Sequence, residues 1–184
     1  ESGAGTDDAA ATLTVAAPAP APPTFEKAFS PAAINTNETS TLTFTITNAD
    51  AFGLTGLNFT DTYPAGVANT DPLVVGGTCV AITHTATAGG GTFNLTGGTI
   101  GANTTCTVTV DVTASTPGSK DNTALNIGST ESGAGTDDAA ATLTVAAPLP
   151  AQPIPSTSIW GLGILAGLLG LFGTLGARRR LSAM

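Results

Sequence analysis

The strongest pattern along the chain is an alternation of apolar residues with threonine. In Ser40–Asn48, Leu42, Phe44 and Ile46 face one way while Thr41, Thr43, Thr45 and Thr47 face the other, which is the period of a half-buried strand. Cys106–Thr113 repeats it, with Cys106, Val108, Val110 and Val112 in line. Leu57–Tyr63 carries Leu57 and Phe59 on one face with Asp61 next in the row, and Pro64-Ala65-Gly66 turns it. Thr24–Ser30 sets Phe25 and Phe29 on one face; Leu73–Val75, Phe93 with Leu95, Asn122–Ile127 and Ala141–Val145 add further runs. Gly97-Gly98 is expected to end the Phe93 strand, and residues 78–92 are too rich in Gly and Thr to place a strand clearly. Regular turn signals without an amphipathic helix predict an all-β fold, an immunoglobulin-like β-sandwich of about seven to nine strands. A jelly roll or barrel is the alternative. The domain holds no Trp, so its core is not antibody-like.

The pattern changes abruptly at the end of the chain. From Ile159 to Ala177 run 19 residues without a charge, roughly 28 Å of helix against the ~30 Å hydrocarbon core of a bilayer. Trp160 stands where an aromatic interface anchor belongs, and Arg178, Arg179 and Arg180 form a basic cluster fit for the cytoplasmic side. The expectation is one C-terminal transmembrane helix over 159–177, a basic tail over 178–184 and the N-terminal part outside. Gly163 and Gly167 form a Gly-x-x-x-Gly pair, the spacing of a close helix–helix contact.

A repeat sets the domain boundaries. Residues 1–18 recur unchanged as 131–148, an offset of one whole domain, so the expected arrangement is an array of domains rather than a solenoid of small units. Residues 1–17 then read as the closing strand of a preceding repeat that has been cut away. Residues 18–23 are a Pro-rich linker, 24–146 the sandwich, and 147–158 a second Pro-rich linker; both linkers are stiff and extended. Residues 9–16, parted from their own domain, are expected to dangle or to pair with a free sheet edge. No signal peptide opens the chain, so Glu1 reads as the start of a fragment.

Charge narrows the function classes. Before the tail, thirteen acidic residues face only Lys27 and Lys120, a net charge of −11. That disfavours nucleic acid, which calls for clustered Lys and Arg. Two cysteines in an exported domain point to a Cys79–Cys106 disulfide, against the alternative of two buried free thiols. With His84 they lack the spacing of a zinc site. His84 has no nucleophile signature near it, and Asp7-Asp8 and Asp137-Asp138 do not match a calcium loop. No catalytic, metal or cofactor residue is therefore assigned. Asp61, the one acid lodged in a strand pattern, is expected to accept bonds from neighbouring hydroxyls or backbone N–H groups. The Asn-x-Thr sequons at Asn37, Asn58, Asn94 and Asn103 carry little weight in so Thr-rich a chain.

Two stretches resemble known families. Ile154, Pro155, Ser158, Trp160 and Gly161, followed by the Gly/Leu-rich run and the Arg cluster, resemble bacterial C-terminal sorting signals of the IPTL-CTERM type, relatives of the PEP-CTERM signals handled by exosortases. Ser156 and Thr157 stand where Thr and Leu are usual, and Ile159 replaces the common acidic residue. Phe29-Ser-Pro-Ala, Ser40–Asn48, Thr60–Val67 and Cys106-Thr-Val-Thr-Val resemble tandem bacterial surface repeats, β-sandwich domains of unknown function. Together these imply a membrane-anchored cell-surface protein whose sandwich is a stalk, spacer or adhesive module. Its implied partners are the membrane, neighbouring repeats and a sorting protease of exosortase type, with no external ligand identified. The competing reading is the anchor-proximal domain of a larger secreted enzyme or carbohydrate-binding protein.

Overall fold

The structure is a computed structural model that describes residue 3, residues 10–16 and residues 18–148. The chain begins with β1 (Thr24–Ser30), β2 (Ala33–Asn35), β3 (Thr39–Asn48), β4 (Leu54–Thr55), β5 (Asn58–Thr62) and β6 (Val67–Asn69). It continues with β7 (Val75–Gly77), β8 (Val80–His84), β9 (Thr92–Ile100), β10 (Thr104–Ala114), β11 (Gly118–Ser129), β12 (Gly133–Ala134) and β13 (Ala139–Ala146). Eight of these thirteen have five residues or more; the other five are pieces of two or three. An all-β sandwich results, and the short pieces are what the sequence pattern does not show.

One sheet runs β1-β3-β10-β6, with β7 also on β10; the other runs β2-β13-β11-β5-β9-β4, with β12 on β11 and β8 on β9. The threonine-striped strands are central in the first sheet. β10 pairs with β3 so that Cys106, Val108 and Val110 lie opposite Ile46, Phe44 and Leu42. All six side chains are buried, while the threonines between them are only half-buried. Cross-strand neighbours of this kind each add a few tenths of a kcal/mol or more beyond burial. The two sheets meet through aromatic rings. Phe44 lies 4.7 Å from Phe59 and 5.7 Å from Phe93 between ring centroids, and Phe25 lies 5.3 Å from Phe59.

Three local departures from simple alternation matter. β9 does not end at Gly97-Gly98 but runs through to Ile100. Gly97 lies opposite Thr83 of the bulged strand β8, where a Cβ would come 2.5 Å from Thr83 Oγ1, so the glycine admits the close approach. In β11 the register against β5 shifts between Leu125 and Gly128, and Asn126 takes a left-handed φ of 53°. This bulge leaves Leu125 exposed while Asn122, Ala124 and Ile127 all face the core. The expected Leu73–Val75 strand is instead Val75–Gly77, paired with β10.

The last strand runs beside the first two. Pro22, Pro23 and Thr24 share a small groove with Thr136 and Asp137 just before β13, and Thr144–Ala146 pairs in parallel with Ala33–Asn35. The chain therefore leaves the sandwich at the end opposite to where it comes in, displaced by the length of β13, about 24 Å. Residues 10–16 copy 140–146 yet form no strand here, and Leu13 and Val15 are exposed. The expected span 159–177, the sorting residues and the basic tail lie outside the described residues. Among the described residues no helix is long and apolar enough to cross a membrane.

Candidate functional site

The two cysteines are joined: Cys79 bonds Cys106 across 27 residues, and no cysteine is free. Cys106 is on β10, and Cys79 sits in the short link between β7 of the first sheet and β8 of the second. The bond thus pins the point where the chain changes sheets. Backbone bonds hold the same corner, with Thr78 N and Cys79 N both donating to Thr107 O at 2.9 and 3.0 Å. Gly77 is required there. Its φ is 124°, and a Cβ would collide with the Thr107 carbonyl of β10.

The core holds a polar cluster that the apolar pattern conceals. Strict alternation in β1 places Lys27 between Phe25 and Phe29 on the buried face. Its Nζ donates to both carboxylate oxygens of Asp61 on β5, at 3.1 and 3.0 Å, and both side chains have no solvent exposure. Asn122 on β11 donates from Nδ2 to the same Asp61 Oδ2 at 3.0 Å, while its own Oδ1 is buried without a partner. Lys27 Nζ also lies 5.7 Å from the centroid of Phe44. Lys27 belongs to the first sheet, Asp61 and Asn122 to the second, so the cluster bridges the gap between them. Asp61 accordingly does not serve a turn by accepting from hydroxyls and backbone N–H groups, as its sequence position suggested. It receives a buried ammonium and an amide.

Burial decides the electrostatics of this cluster. Desolvation pushes Lys27 below the ordinary lysine range, against the pull of the Asp61 charge and hydrogen bonds. Desolvation likewise pushes Asp61 above the ordinary aspartate range, against Lys27 and Asn122. Both directions favour the uncharged forms. Tyr63, also buried, is pushed far up by burial and then by the nearby Asp61 charge, and its hydroxyl donates to Asn69 Oδ1 at 2.8 Å. Tyr63 is therefore not a surface aromatic; among the described residues the exposed aromatic is Phe52, at 63%.

The remaining candidates stay apart. His84 stacks on Phe93 at 5.7 Å, with its Nδ1 buried and unpaired. Asp138 accepts from the Asn126 N–H at the β11 bulge, at 3.2 Å. Among the described residues no three His, Cys, Asp or Glu side chains gather as a metal site would need. Of two surface grooves, one of about 370 Å³ is lined by Thr, Asn, Pro72, Val74 and the carboxylates Asp71 and Asp111, and one of about 650 Å³ by Thr, Asn and a few apolar residues. Ile154, Pro155, Ser158, Trp160, Gly161 and Arg178–Arg180 lie outside the described residues.

The fold and its buried cluster define an all-β sandwich domain with one disulfide and one inter-sheet ion pair. Residues 23–145 match DUF7933, a domain of unknown function, and the chain belongs to that family. No curated protein matches it. Among solved structures it is similar to a non-cellulosomal cohesin from the hyperthermophilic archaeon Archaeoglobus fulgidus, at 13% identity and a TM-score of 0.48, over 67% of this chain and 91% of that one. A cohesin module from a Clostridium perfringens family 33 glycoside hydrolase gives 10% identity and a TM-score of 0.49, over 70% and 99%. The bacterial hydrophobin BslA gives 14% and 0.44, over 73% and 100%.

Proposed function

We propose that this chain carries one domain of a repetitive, membrane-anchored bacterial cell-surface protein, and that its sandwich, immunoglobulin-like in kind, is a stalk, spacer or adhesive module. The observation that carries this reading is the path of the chain. Pro22–Thr24 lies at one end of β13 and Ala146 at the other, beside Asn35. Copies joined through such ends string out rather than fold back, and Pro-rich joints keep them apart. The unchanged recurrence of residues 1–18 at 131–148 supports a tandem array. The uncharged run 159–177 and the arginines after it support a membrane anchor with the sandwich outside. Ile154, Pro155, Ser158, Trp160 and Gly161 support handling by a sorting protease of exosortase type.

Small-angle scattering on a chain of two consecutive repeats tests the mechanical part. The maximum dimension should exceed that of one repeat by about the length of a sandwich. A two-repeat chain no longer than one repeat would sink the stalk reading, and recovery of the full product from the cytosol with both thiols reduced would sink the surface location. The second reading, the anchor-proximal domain of a larger secreted enzyme or carbohydrate-binding protein, draws on exposed Phe52. Tight glycan binding lost in Phe52→Ala would favour it.

A further inference from the structure

We propose that Lys27 and Asn122 close a self-formed amide cross-link between the two sheets, with Asp61 as the acid–base catalyst that carries the protons. Asp61 Oδ2 receives Lys27 Nζ and Asn122 Nδ2 at 3.0 Å each. The amine and the amide therefore stand no further apart than those two bonds laid end to end. They come from β1 and β11, in opposite sheets, and the side chains of Lys27 and Asp61 are wholly shut from solvent. A side-chain amide resists amines in water for two reasons: the amine is protonated, and the leaving nitrogen needs a proton. This site removes both obstacles. A lysine desolvated among aromatic rings becomes a neutral nucleophile, and Phe44 lies 5.7 Å from Nζ. A carboxyl in contact with both partners can take the proton from one and hand it to the other. Holding the groups in place supplies the orientation that free reactants lack. The unpartnered Asn122 Oδ1 is the oxygen that a protonated Asp61 would bond once the amide turns over about its own axis.

The step balances without any other reactant. The Lys27 ammonium passes one proton to the Asp61 carboxylate, leaving an amine and a carboxylic acid. Nζ attacks Cγ of Asn122, the Nζ–Cγ bond forms, and the carbonyl pair moves to Oδ1, which takes the proton of Asp61. Asp61 then accepts a proton from Nζ and gives it to Nδ2. The carbonyl re-forms, the Cγ–Nδ2 bond breaks, ammonia leaves, and the Oδ1 proton returns to Asp61. The product is a secondary amide joining β1 to β11, with Asp61 protonated. Nothing is oxidised or reduced. This inference rests on the core alone and stands whether or not the protein is anchored at a surface.

Intact-mass measurement of the full chain, with the disulfide reduced, tests it. The expected mass is lighter than the sequence by one ammonia. Digestion should yield a branched peptide joining the Lys27 and Asn122 segments, and trypsin should no longer cut after Lys27. Lys27→Arg, Asn122→Ala and Asp61→Ala should each return the full sequence mass, with strand content checked by circular dichroism. Three results overturn the proposal: an unmodified chain cut normally at Lys27, an ammonia loss that persists in Lys27→Arg, or a loss of water joining Lys27 to Asp61. The first and third are read on the unaltered protein, so they hold even if a variant fails to fold.

Discussion

Leu13 and Leu143 hold the same position in two copies of one 18-residue sequence, yet Leu143 is completely buried and Leu13 is 87% exposed. Local sequence is identical, so the difference is tertiary. β13 finds β11 on one side and β2 on the other, and Val145 lies opposite Gly118 and Ile34. Residues 10–16 form no strand and leave their apolar row in solvent. Leu143→Ala should destabilise the domain by about 2–5 kcal/mol, the usual cost of emptying a buried leucine site. Leu13→Ala should change stability by no more than about 0.5 kcal/mol. Urea unfolding of the two variants measures both.

Reducing the Cys79–Cys106 bond should lower stability by about 3 kcal/mol, because a loop of this length is released in the unfolded chain. The same corner gives a second handle. Gly77→Ala should destabilise even with the bond intact, since φ is 124° and the added carbon meets the backbone of β10. Denaturation with and without reductant, on both chains, separates the loop effect from the backbone effect.

How much of this was legible depends on the length of the alternating run. Leu42, Phe44 and Ile46, like Cys106 to Val112, declare their faces because nothing interrupts the period. Asp61 falls in the same row as Phe59, and Lys27 in the same row as Phe25 and Phe29, so strict alternation already places both inside. Composition argues the other way, since lysine and aspartate are rarely buried unpaired, and the two lie on strands far apart in sequence. Asn122 was not legible at all. An unbroken period through Leu125 and Ile127 would turn those two inward and Asn122 outward. The bulge after Leu125 reverses that parity. Gly97 misleads similarly, because a glycine that admits a neighbouring strand looks like one that ends its own.

Glu131 predicts an acid-side pH dependence. Its carboxylate accepts from Thr55 N at 2.7 Å and Thr55 Oγ1 at 2.5 Å, tying the turn after β11 to β4. These bonds hold its pKa below the ordinary glutamate value of 4.5. The unfolded chain therefore takes up the proton first as pH falls. The stability Glu131 adds is complete above 4.5 and is lost as pH drops through its folded value. Glu131→Gln should flatten that part of the stability–pH curve and leave the rest unchanged. Equilibrium unfolding at stepped pH reads it directly, and an unaltered slope would show that the Thr55 bonds do not persist in solution.

The ion pair itself can be weighed in an Asn122→Ala chain, where no amide partner remains and Lys27 faces Asp61 alone. Replacing only one member leaves the other unpaired in a dry core. Lys27→Met or Asp61→Leu should each cost about 3–5 kcal/mol. Replacing both removes the two desolvation penalties together and substitutes apolar volume beside Phe44. The double variant should therefore recover most of that loss, giving a strongly non-additive cycle. Near-additive costs would mean that water reaches the pair in solution. Recovery to the starting stability or beyond would show that the pair does not hold the fold together.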